Sequence, residues 1–446
     1  MMISARAAAM RLALGILVLL VCPLAGAQGL KSEVPEITIV RGTETAYPIA
    51  VVPFAFDGAS VPPETDVADV VRSDLNRCGQ FRSLPKNDII EFPTRGEDIK
   101  FATWNLLKQA YIVVGREVQA GNGEIRVEFE LYDVAKQQRL QGLAISGQPS
   151  DLRGVAHQIA DLIYEKITGV RGAFWTRIAY VTSKGSGQSM AYALMVADSD
   201  GFSPQTVVSS RQPLMSPAWS PDGRKLAYVS FERGNSSIYI QEIATGSREV
   251  VSANKGINGA PAFSPDGSRL ALALSNGINP DIYVMDLGSR HLTQITKHFA
   301  IDTEPVWTPD GQNIMFTSDR GGKAQLYQAP AGGGDATRAT FAGESNMKGS
   351  ISYDGKKVAM AQGNGNVYRI AVLDRATGEA KPISPGSLDE SPSFAPNASM
   401  ILYAASEGSR GVLYAVSADG RVRQRLVLAD GDVREPAWSP YRQRGQ

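Results

Sequence analysis

The stretch PAWSPDG at 217–223 decides the fold, because close copies of it recur at a nearly constant spacing along the second half of the chain. The copies begin at positions 217, 261, 305, 349, 392 and 436, so the period is 43 or 44 residues. They read PAFSPDG (261–267), PVWTPDG (305–311), GSISYDG (349–355), PSFAPNA (392–398) and PAWSP (436–440). Such a period, with four short alternating apolar runs per unit, is typical of β-propeller blades.

The residues of the repeat explain why it forms a hairpin. Proline fixes φ at the first turn position, aspartate accepts backbone N–H groups two residues on, and glycine adopts the positive φ that closes the turn. An alternating run such as KLAYV (225–229) follows and predicts the second strand. Large rings share one register position and are predicted to pack between neighbouring blades: Trp219, Phe263, Trp307, Phe394 and Trp438.

The count of strands predicts a closed ring. RIAYV (177–181) has no copy of the repeat before it, while EPAWSP at 435–440 has no second strand after it. We therefore expect the C-terminal strand to pair beside 177–181 and to close six blades, which removes two exposed sheet edges. The predicted fold is a small mixed α/β N-terminal domain followed by a six-bladed all-β propeller at 174–446.

The first 27 residues have the layout of a secretory signal. Arg6 and Arg11 precede the apolar run LALGILVLLV (12–21), and AGA (25–27) supplies small residues before a cleavage site after about Ala27. The run is shorter than the about 20 residues that span a bilayer. Cys22 would leave with the signal, and we expect the remaining Cys78 to be a buried thiol.

The predicted α/β domain covers residues 46–170. YPIAVVPF (47–54) reads as a buried strand, 63–79 and 101–110 as helices, and three strands follow between 111 and 147. The stretch 151–169 predicts an amphipathic helix capped by Ser150 and ended by Gly169. Its apolar face comprises Leu152, Val155, Ile159, Leu162, Ile163 and Ile167.

The segment 28–45 leaves two interpretations open. EITIV at 36–40 alternates polar and apolar residues, as an edge strand does. It either completes the sheet of the N-terminal domain or is offered as an added strand to another protein. Spacing alone favours the first interpretation.

Common signatures of catalysis are missing from the sequence, including G-x-S-x-G, H-E-x-x-H, C-x-x-C and the phosphate-binding glycine motifs. The formal charge is zero, from 45 basic and 45 acidic residues, which gives no indication of a nucleic-acid partner. His157 is predicted to lie on a helix surface or a domain junction, and His291 and His298 to be solvated. DSDG (198–201) lacks the later ligands of a calcium loop and is predicted to be a turn.

Acidic residues stand just before the innermost strand of several predicted blades: Asp302, Glu304, Asp389, Glu390, Asp432 and Glu435. These connections share one face of a propeller, so the carboxylates would form a partial ring at the channel mouth. One interpretation is that strand starts are simply solvated. The other is a docking surface for a basic or hydroxyl-rich partner, or a weak cation site in the channel.

Several longer strings carry a family resemblance over essentially the whole mature chain: YPIAVVPF (47–54), EKITGVRGAFWTRIAYV (165–181), PLMSPAWSPDGRKLAYVSFE (213–232), NGAPAFSPDGSRLALALS (258–275) and TEPVWTPDGQNIMFTSD (303–319). The chain closely resembles the TolB family, the periplasmic components of the Tol-Pal system. The resemblance implies a non-enzymatic, monomeric adaptor without membrane insertion. Its propeller mouth would bind the peptidoglycan-associated lipoprotein, with other outer-membrane lipoproteins as further candidates, and its N-terminal segment would bind TolA. The system supports outer-membrane integrity and constriction in cell division.

The resemblance also assigns residues to these contacts. The segment that engages TolA would contain Val34, Glu36, Ile37, Thr38, Ile39 and Val40. The contacts with the lipoprotein would include Met215, Ser216, Ile257, Ala260, Thr303, Glu304, Glu390 and Glu435, and Ile257 stands where related proteins can carry a histidine. No cofactor is required, and the resemblance allows calcium in the propeller channel.

Two other functional classes share the propeller fold. One is the propeller that caps prolyl-oligopeptidase-type hydrolases, which would require an α/β-hydrolase domain that the sequence does not contain. The other is a propeller that binds a small molecule, which would require convergent polar side chains within the channel.

Overall fold

The computed structural model describes residues 37–39, 46–59, 61–121, 123–275, 277–426, 428 and 431–443. The predicted signal peptide and the candidate TolA contacts Val34, Glu36 and Val40 lie outside these ranges. A first strand, β1 (Ile37–Ile39), precedes the N-terminal domain. No helix among the described residues has the length and apolar character needed to cross a membrane.

The N-terminal domain is a mixed sheet between two helical layers. Its α-helices are α1 (Val67–Arg77), α2 (Phe101–Leu106) and α3 (Leu152–Thr168). Its strands are β2 (Tyr47–Val51), β3 (Ala55–Asp57), β4 (Phe81–Ser83), β5 (Tyr111–Gln119), β6 (Ile125–Asp133) and β7 (Gln138–Gly147). The sheet order is β4-β2-β5-β6-β7, with β3 also paired to β5. Helices α1 and α3 cover one face, and Trp104 of α2 packs on the other.

The helix limits follow from local chemistry. Asp66 caps α1 because its side chain accepts the Asp69 N–H at 3.0 Å. Gly169 ends α3 with a φ of 75°, as predicted. The prediction that Ser150 caps α3 is wrong: a 3-10 turn, Pro149–Asp151, leads into the helix, and Asp151 takes the cap position without a side-chain bond.

The predicted apolar face of α3 is confirmed. Leu152, Val155, Ile159 and Ile163 are buried, and Leu162 and Ile167 pack against the same core. The prediction for Cys78 is also confirmed, since it is buried at the end of α1. Burial raises the pKa of its thiol to about 12, which makes the thiolate rare at neutral pH.

The second domain is the predicted six-bladed propeller. Blade 1 contains β8 (Arg177–Lys184), β9 (Ala191–Asp198) and β10 (Gln205–Ser210). Blade 2 contains β11 (Leu214–Trp219), β12 (Lys225–Ser230), β13 (Ser237–Glu242) and β14 (Arg248–Ser252). Blade 3 contains β15 (Asn258–Phe263), β16 (Arg269–Ser275), β17 (Pro280–Asp286) and β18 (Leu292–Gln294).

The remaining blades repeat the same antiparallel order. Blade 4 contains β19 (Asp302–Trp307), β20 (Asn313–Ser318), β21 (Gln325–Pro330) and β22 (Thr337–Arg338). Blade 5 contains β23 (Ser345–Ile351), β24 (Lys357–Asn364), β25 (Val367–Asp374) and β26 (Ala380–Pro382). Blade 6 contains β27 (Glu390–Phe394), β28 (Met400–Glu407), β29 (Arg410–Ser417) and β30 (Val422–Arg425), and β31 (Asp432–Trp438) follows.

The C-terminal strand closes the ring as predicted. β31 is the innermost strand of blade 1 and runs antiparallel to β8, with Ala437 opposite Ala179 and Trp438 opposite Ile178. Ser439 extends the pairing because its N–H donates to the Arg177 carbonyl at 2.8 Å. The first and last strands of the propeller therefore share one sheet.

The repeated turn forms by the predicted chemistry. In blade 2, the Asp222 carboxylate accepts the Arg224 N–H at 3.0 Å. Gly223 has a φ of 70°, and the equivalent glycines of blades 3, 4 and 5 are similar. The aromatic residues of the repeat join neighbouring blades: Trp219 Nε1 donates to the Ala437 carbonyl at 3.0 Å.

The N-terminal strand differs from the favoured expectation. β1 pairs antiparallel with β30 as a fifth, outermost strand of blade 6, with Thr38 opposite Arg423. It is thus an internal edge strand, but it extends the propeller and not the sheet of the N-terminal domain.

The two ends of the propeller have different surroundings. The repeated turns lie on one end, which we call the turn face, and the N-terminal domain packs there: Asn397 in the blade 6 turn donates to the Arg171 carbonyl at 3.1 Å. Because the strands alternate in direction, the innermost strands all begin at the opposite end, which we call the mouth face.

Candidate functional site

A ring of six residues in the left-handed conformation surrounds the channel at the mouth face. Each innermost strand has a register shift near its start, and one non-glycine residue in the shift has a φ between 46° and 55°. The residues of this mouth ring are Ser216, Ala260, Glu304, Lys348, Ser391 and Glu435. All six line one cavity of about 150 Å³. Such a conformation costs about 1–2 kcal/mol per residue, and strain of this kind clusters at functional sites.

The sequence contains a local cause for five of the six bulges. The residue after the ring position is proline in every blade except blade 5, where it is Gly349. Proline has no N–H to donate to the neighbouring strand, so regular pairing is interrupted there and a bulge is accommodated. The same interruption turns the preceding side chain toward the channel mouth.

Charged members of the mouth ring bond to each other. Lys348 Nζ donates to Ser391 Oγ at 2.9 Å and to Glu435 Oε1 at 3.2 Å. Glu304 Oε2 accepts the Lys348 N–H at 3.0 Å and the Thr317 hydroxyl at 2.9 Å. The four ring members Glu304, Lys348, Ser391 and Glu435 are therefore preorganised, whereas the other two, Ser216 and Ala260, are small and uncharged.

Burial and neighbouring charges shift the ionisation of these groups. Burial raises the pKa of the Glu304 carboxyl, although the ammonium of Lys348 opposes the shift. Burial alone would lower the pKa of Lys348, but the carboxylates of Glu435, Glu304 and Glu390 outweigh it and raise the pKa above its ordinary value. Lys348 consequently stays positively charged at neutral pH.

The predicted ring of carboxylates divides into two classes. Asp302 is fully buried and accepts from Arg320 Nη2 at 2.7 Å, and Asp389 is buried and accepts the Gly386 N–H at 3.0 Å. Asp432 accepts the Gly411 N–H. Asp302 and Asp389 are therefore withdrawn from solvent, whereas Asp432 is partly exposed, and each of the three has an oxygen bonded within the propeller. Of the three glutamates, Glu304 and Glu435 line the mouth cavity, and Glu390 precedes the ring residue Ser391.

Exposed apolar side chains surround the mouth ring. They lie at strand starts on this face, in the connections that lead into the innermost strands and in hairpin loops of the same face: Met215, Ile257, Ile278, Phe299, Ile301, Phe341, Val367 and Leu388. We call this set the apolar rim. Ile257 is 49% exposed and Met215 is 41% exposed. Large apolar groups concentrated on one face are typical of protein interaction sites.

The structure brings together most of the predicted lipoprotein contacts. Ser216, Ala260, Glu304 and Glu435 line the central cavity. Met215 and Ile257 belong to the apolar rim, and Thr303 precedes Glu304 in β19. Glu390 lies beside the ring, where Arg434 Nη1 approaches its Oε1 at 3.5 Å.

Sequence reasoning missed two ring members, Lys348 and Ser391. The signal was available in principle, because every ring residue directly precedes the proline, or Gly349, that starts a repeat copy. Of the predicted TolA contacts, Ile37, Thr38 and Ile39 form β1, whose backbone pairs with blade 6.

A second cluster of charges joins the two domains. His157 of α3 is buried, and its Nδ1 lies 2.6 Å from Asp74 Oδ2 of α1. Asp74 also accepts from Arg77 Nε at 3.0 Å, and Arg153 pairs with Asp200 of the predicted DSDG turn. Both carboxylates are thus balanced by guanidinium groups, which favours a structural role at the interface. His157 is therefore a junction residue and does not lie on a helix surface.

Comparisons with known proteins agree with this architecture. Residues 164–442 match the family model of the TolB beta propeller domain, and residues 35–140 match that of the TolB amino-terminal domain. The Tol-Pal system protein TolB of Xanthomonas oryzae pv. oryzae (strain PXO99A) is 65% identical over 432 residues, which cover 96% of this chain and 97% of that protein. Its counterpart in Xanthomonas campestris pv. campestris (strain B100) is 67% identical over 408 residues, which cover 91% of this chain and 93% of that protein.

A solved structure extends the similarity to three dimensions. The crystal structure of TolB from Acinetobacter baumannii is 42% identical in sequence, with a TM-score of 0.83. The match covers 91% of this chain and all of that chain. The chain therefore belongs to the TolB family of Tol-Pal system proteins.

Proposed function

We propose that this protein is a periplasmic, non-enzymatic adaptor that binds the peptidoglycan-associated lipoprotein at the mouth face and TolA through its N-terminal segment. In this role it supports outer-membrane integrity and envelope constriction in cell division. It acts as a monomer, requires no cofactor and does not insert into the membrane. Other outer-membrane lipoproteins are further candidate partners at the same face.

The observation that carries the proposal is the mouth ring inside the apolar rim. Protein interfaces concentrate their binding energy in a buried centre with fixed polar groups, surrounded by contacts that exclude water. Here the polar groups of Glu304, Lys348 and Glu435 are already held by internal bonds. When a partner docks on this face, the mouth side chains would lose little further conformational entropy, because the strained backbone fixes them beforehand.

The mouth face also lies opposite the N-terminal domain. Helix α3 and the link after it approach the repeated turns, where Gln158, Leu162 and Pro221 line a common cavity of about 680 Å³. The N-terminal domain therefore leaves the mouth accessible to a partner, and a second partner can bind elsewhere on the chain.

The pairing of β1 supports the proposed contact with TolA. Among the described residues, three pairs join β1 to β30, and each intramolecular hydrogen bond contributes only about 0.5–1.5 kcal/mol net. A strand held by so few bonds can be released at small cost and added to the sheet of another protein.

A pulldown with defined partners tests the proposal. The mature chain from residue 28 and a shorter chain from residue 41 would each be immobilised and exposed to the purified lipoprotein domain and to purified TolA. We expect both chains to retain the lipoprotein and only the longer one to retain TolA. Equal retention of TolA by both chains, or no retention of the lipoprotein, would contradict the proposal.

A further inference from the structure

The basic side chain of Lys348 stands among the three glutamates of the mouth. Glu304 and Glu435 belong to the mouth ring, Glu390 precedes Ser391 of the ring, and Lys348 lies between them. Glu304 and Glu435 line one small cavity, and carboxylate oxygens are preferred ligands of calcium. The charge on Lys348 bears directly on whether such a cation is needed here.

The lysine is held firmly in this position. Its ammonium donates to Ser391 Oγ at 2.9 Å and to Glu435 Oε1 at 3.2 Å, and its side chain is only 28% exposed. Its own backbone N–H donates to Glu304 Oε2 at 3.0 Å. Two of the three glutamates are therefore bonded to the same residue, one through the main chain and one through the side chain.

The carboxylates retain few oxygens for a metal. Calcium takes six to eight oxygen ligands. Glu304 Oε2 already accepts two hydrogen bonds, and Glu435 Oε1 accepts from the ammonium. Arg434 lies 3.5 Å from Glu390. A dication would also be repelled by the ammonium of Lys348, so the residues present do not fit a bound calcium at the mouth.

We propose that Lys348 is a tethered counter-ion, whose ammonium takes the place of a divalent cation at the channel mouth. The charge of the docking surface is then set by the chain and does not depend on the metal content of the surroundings. Blade 5 supplies this residue at the one repeat that has glycine in place of proline after the ring position. The inference goes beyond the proposed function, since no partner protein enters it.

Calcium titration of the mature chain tests this inference. Isothermal titration calorimetry with CaCl2 would compare the natural protein with Lys348→Gln and with Lys348→Arg, which keeps the charge. We expect no saturable binding by the natural protein or by Lys348→Arg. We expect Lys348→Gln to bind calcium with a Kd of about 10⁻⁴–10⁻³ M, the range of weak extracellular sites.

Two results would contradict the inference, and a double variant locates the site. Saturable calcium binding by the natural protein would overturn the inference whether or not any variant folds. The absence of binding by a Lys348→Gln protein with native circular dichroism would also overturn it. If the binding gained by Lys348→Gln is abolished by adding Glu435→Gln, the site is located at the mouth. None of these results depends on whether the lipoprotein binds.

Discussion

Trp438 Nε1 donates a hydrogen bond to Thr176 Oγ1 at 2.8 Å, although the two residues lie 262 positions apart in the chain. Thr176 immediately precedes the first propeller strand, and Trp438 ends the last one. The contact therefore joins the two ends of the propeller at its closure. The Trp438 ring is also buried in the core that blades 1 and 6 share.

Loss of the Trp438 ring should destabilise the whole propeller. Large-to-small substitution of a buried aromatic residue costs about 3–5 kcal/mol, so we expect Trp438→Ala to lower the free energy of unfolding by that amount. Trp438→Phe keeps a buried aromatic ring but removes the Nε1 donor to Thr176. We expect the loss of this hydrogen bond to lower the free energy of unfolding by about 1 kcal/mol. Urea denaturation followed by circular dichroism measures both. An unchanged unfolding midpoint for Trp438→Ala would contradict closure by this strand.

The left-handed backbone of the mouth ring predicts opposite effects for two neighbouring alanines. Ala260 has a φ of 46°, so Ala260→Gly should relieve strain and raise the free energy of unfolding by about 0.5–1 kcal/mol. Ala262 lies in the regular part of the same strand. Ala262→Gly should therefore lower the free energy of unfolding by about 0.5–1 kcal/mol or more. Thermal or urea unfolding of the two variants gives the comparison. Similar losses in both would show that position 260 is not strained.

The domain junction should be sensitive to pH through His157. Burial alone would lower the pKa of its imidazole, but Asp74 and Asp200 outweigh this and raise the pKa above that of the unfolded chain. Arg77, Arg153 and Asp198 also face this cluster.

A raised pKa fixes the direction of the effect. The stabilisation is fully present below the unfolded pKa of about 6.5 and is lost as the pH rises through the folded pKa. We therefore expect the difference in free energy of unfolding between the natural protein and His157→Gln to shrink from pH 6 to pH 9.

The difference also contains the coupling between His157 and Asp161. Burial raises the pKa of the Asp161 carboxyl to about 7, and the charge of His157 opposes that shift. A difference that is constant over this pH range would contradict the assignment. Urea titrations at each pH supply the data.

The propeller was predictable from the sequence because its repeat encodes each element locally. Proline, aspartate and glycine specify the turn at 221–223, and the unmatched strands at 177–181 and 436–440 specify the closure. The partner of β1 was not predictable, since alternation within 36–40 describes an edge strand without identifying the sheet that it joins. Its pairing with β30 depends on tertiary contacts.

The mouth was predicted only in part for a similar reason. Acidic residues before the strands were visible in the sequence, but burial decides their roles. Asp302 and Asp389 are buried within the propeller, whereas Glu304 and Glu435 line the cavity. Lys348 was not predictable from the acidic pattern, because that pattern contains one sign of charge. Its role follows from the bulge, which places it beside Glu435 despite a separation of 87 residues.

The most direct test of the account is the affinity of the purified lipoprotein domain for a variant of the mouth face. Ile257→Asp places a charge in the apolar rim, and Leu106→Asp, at an exposed position on α2 of the N-terminal domain, is the matched control. By surface plasmon resonance we expect Ile257→Asp to weaken binding at least tenfold, or about 1.4 kcal/mol, and Leu106→Asp to bind like the natural protein. Unchanged affinity for Ile257→Asp, or equal losses for both variants, would contradict docking at the mouth.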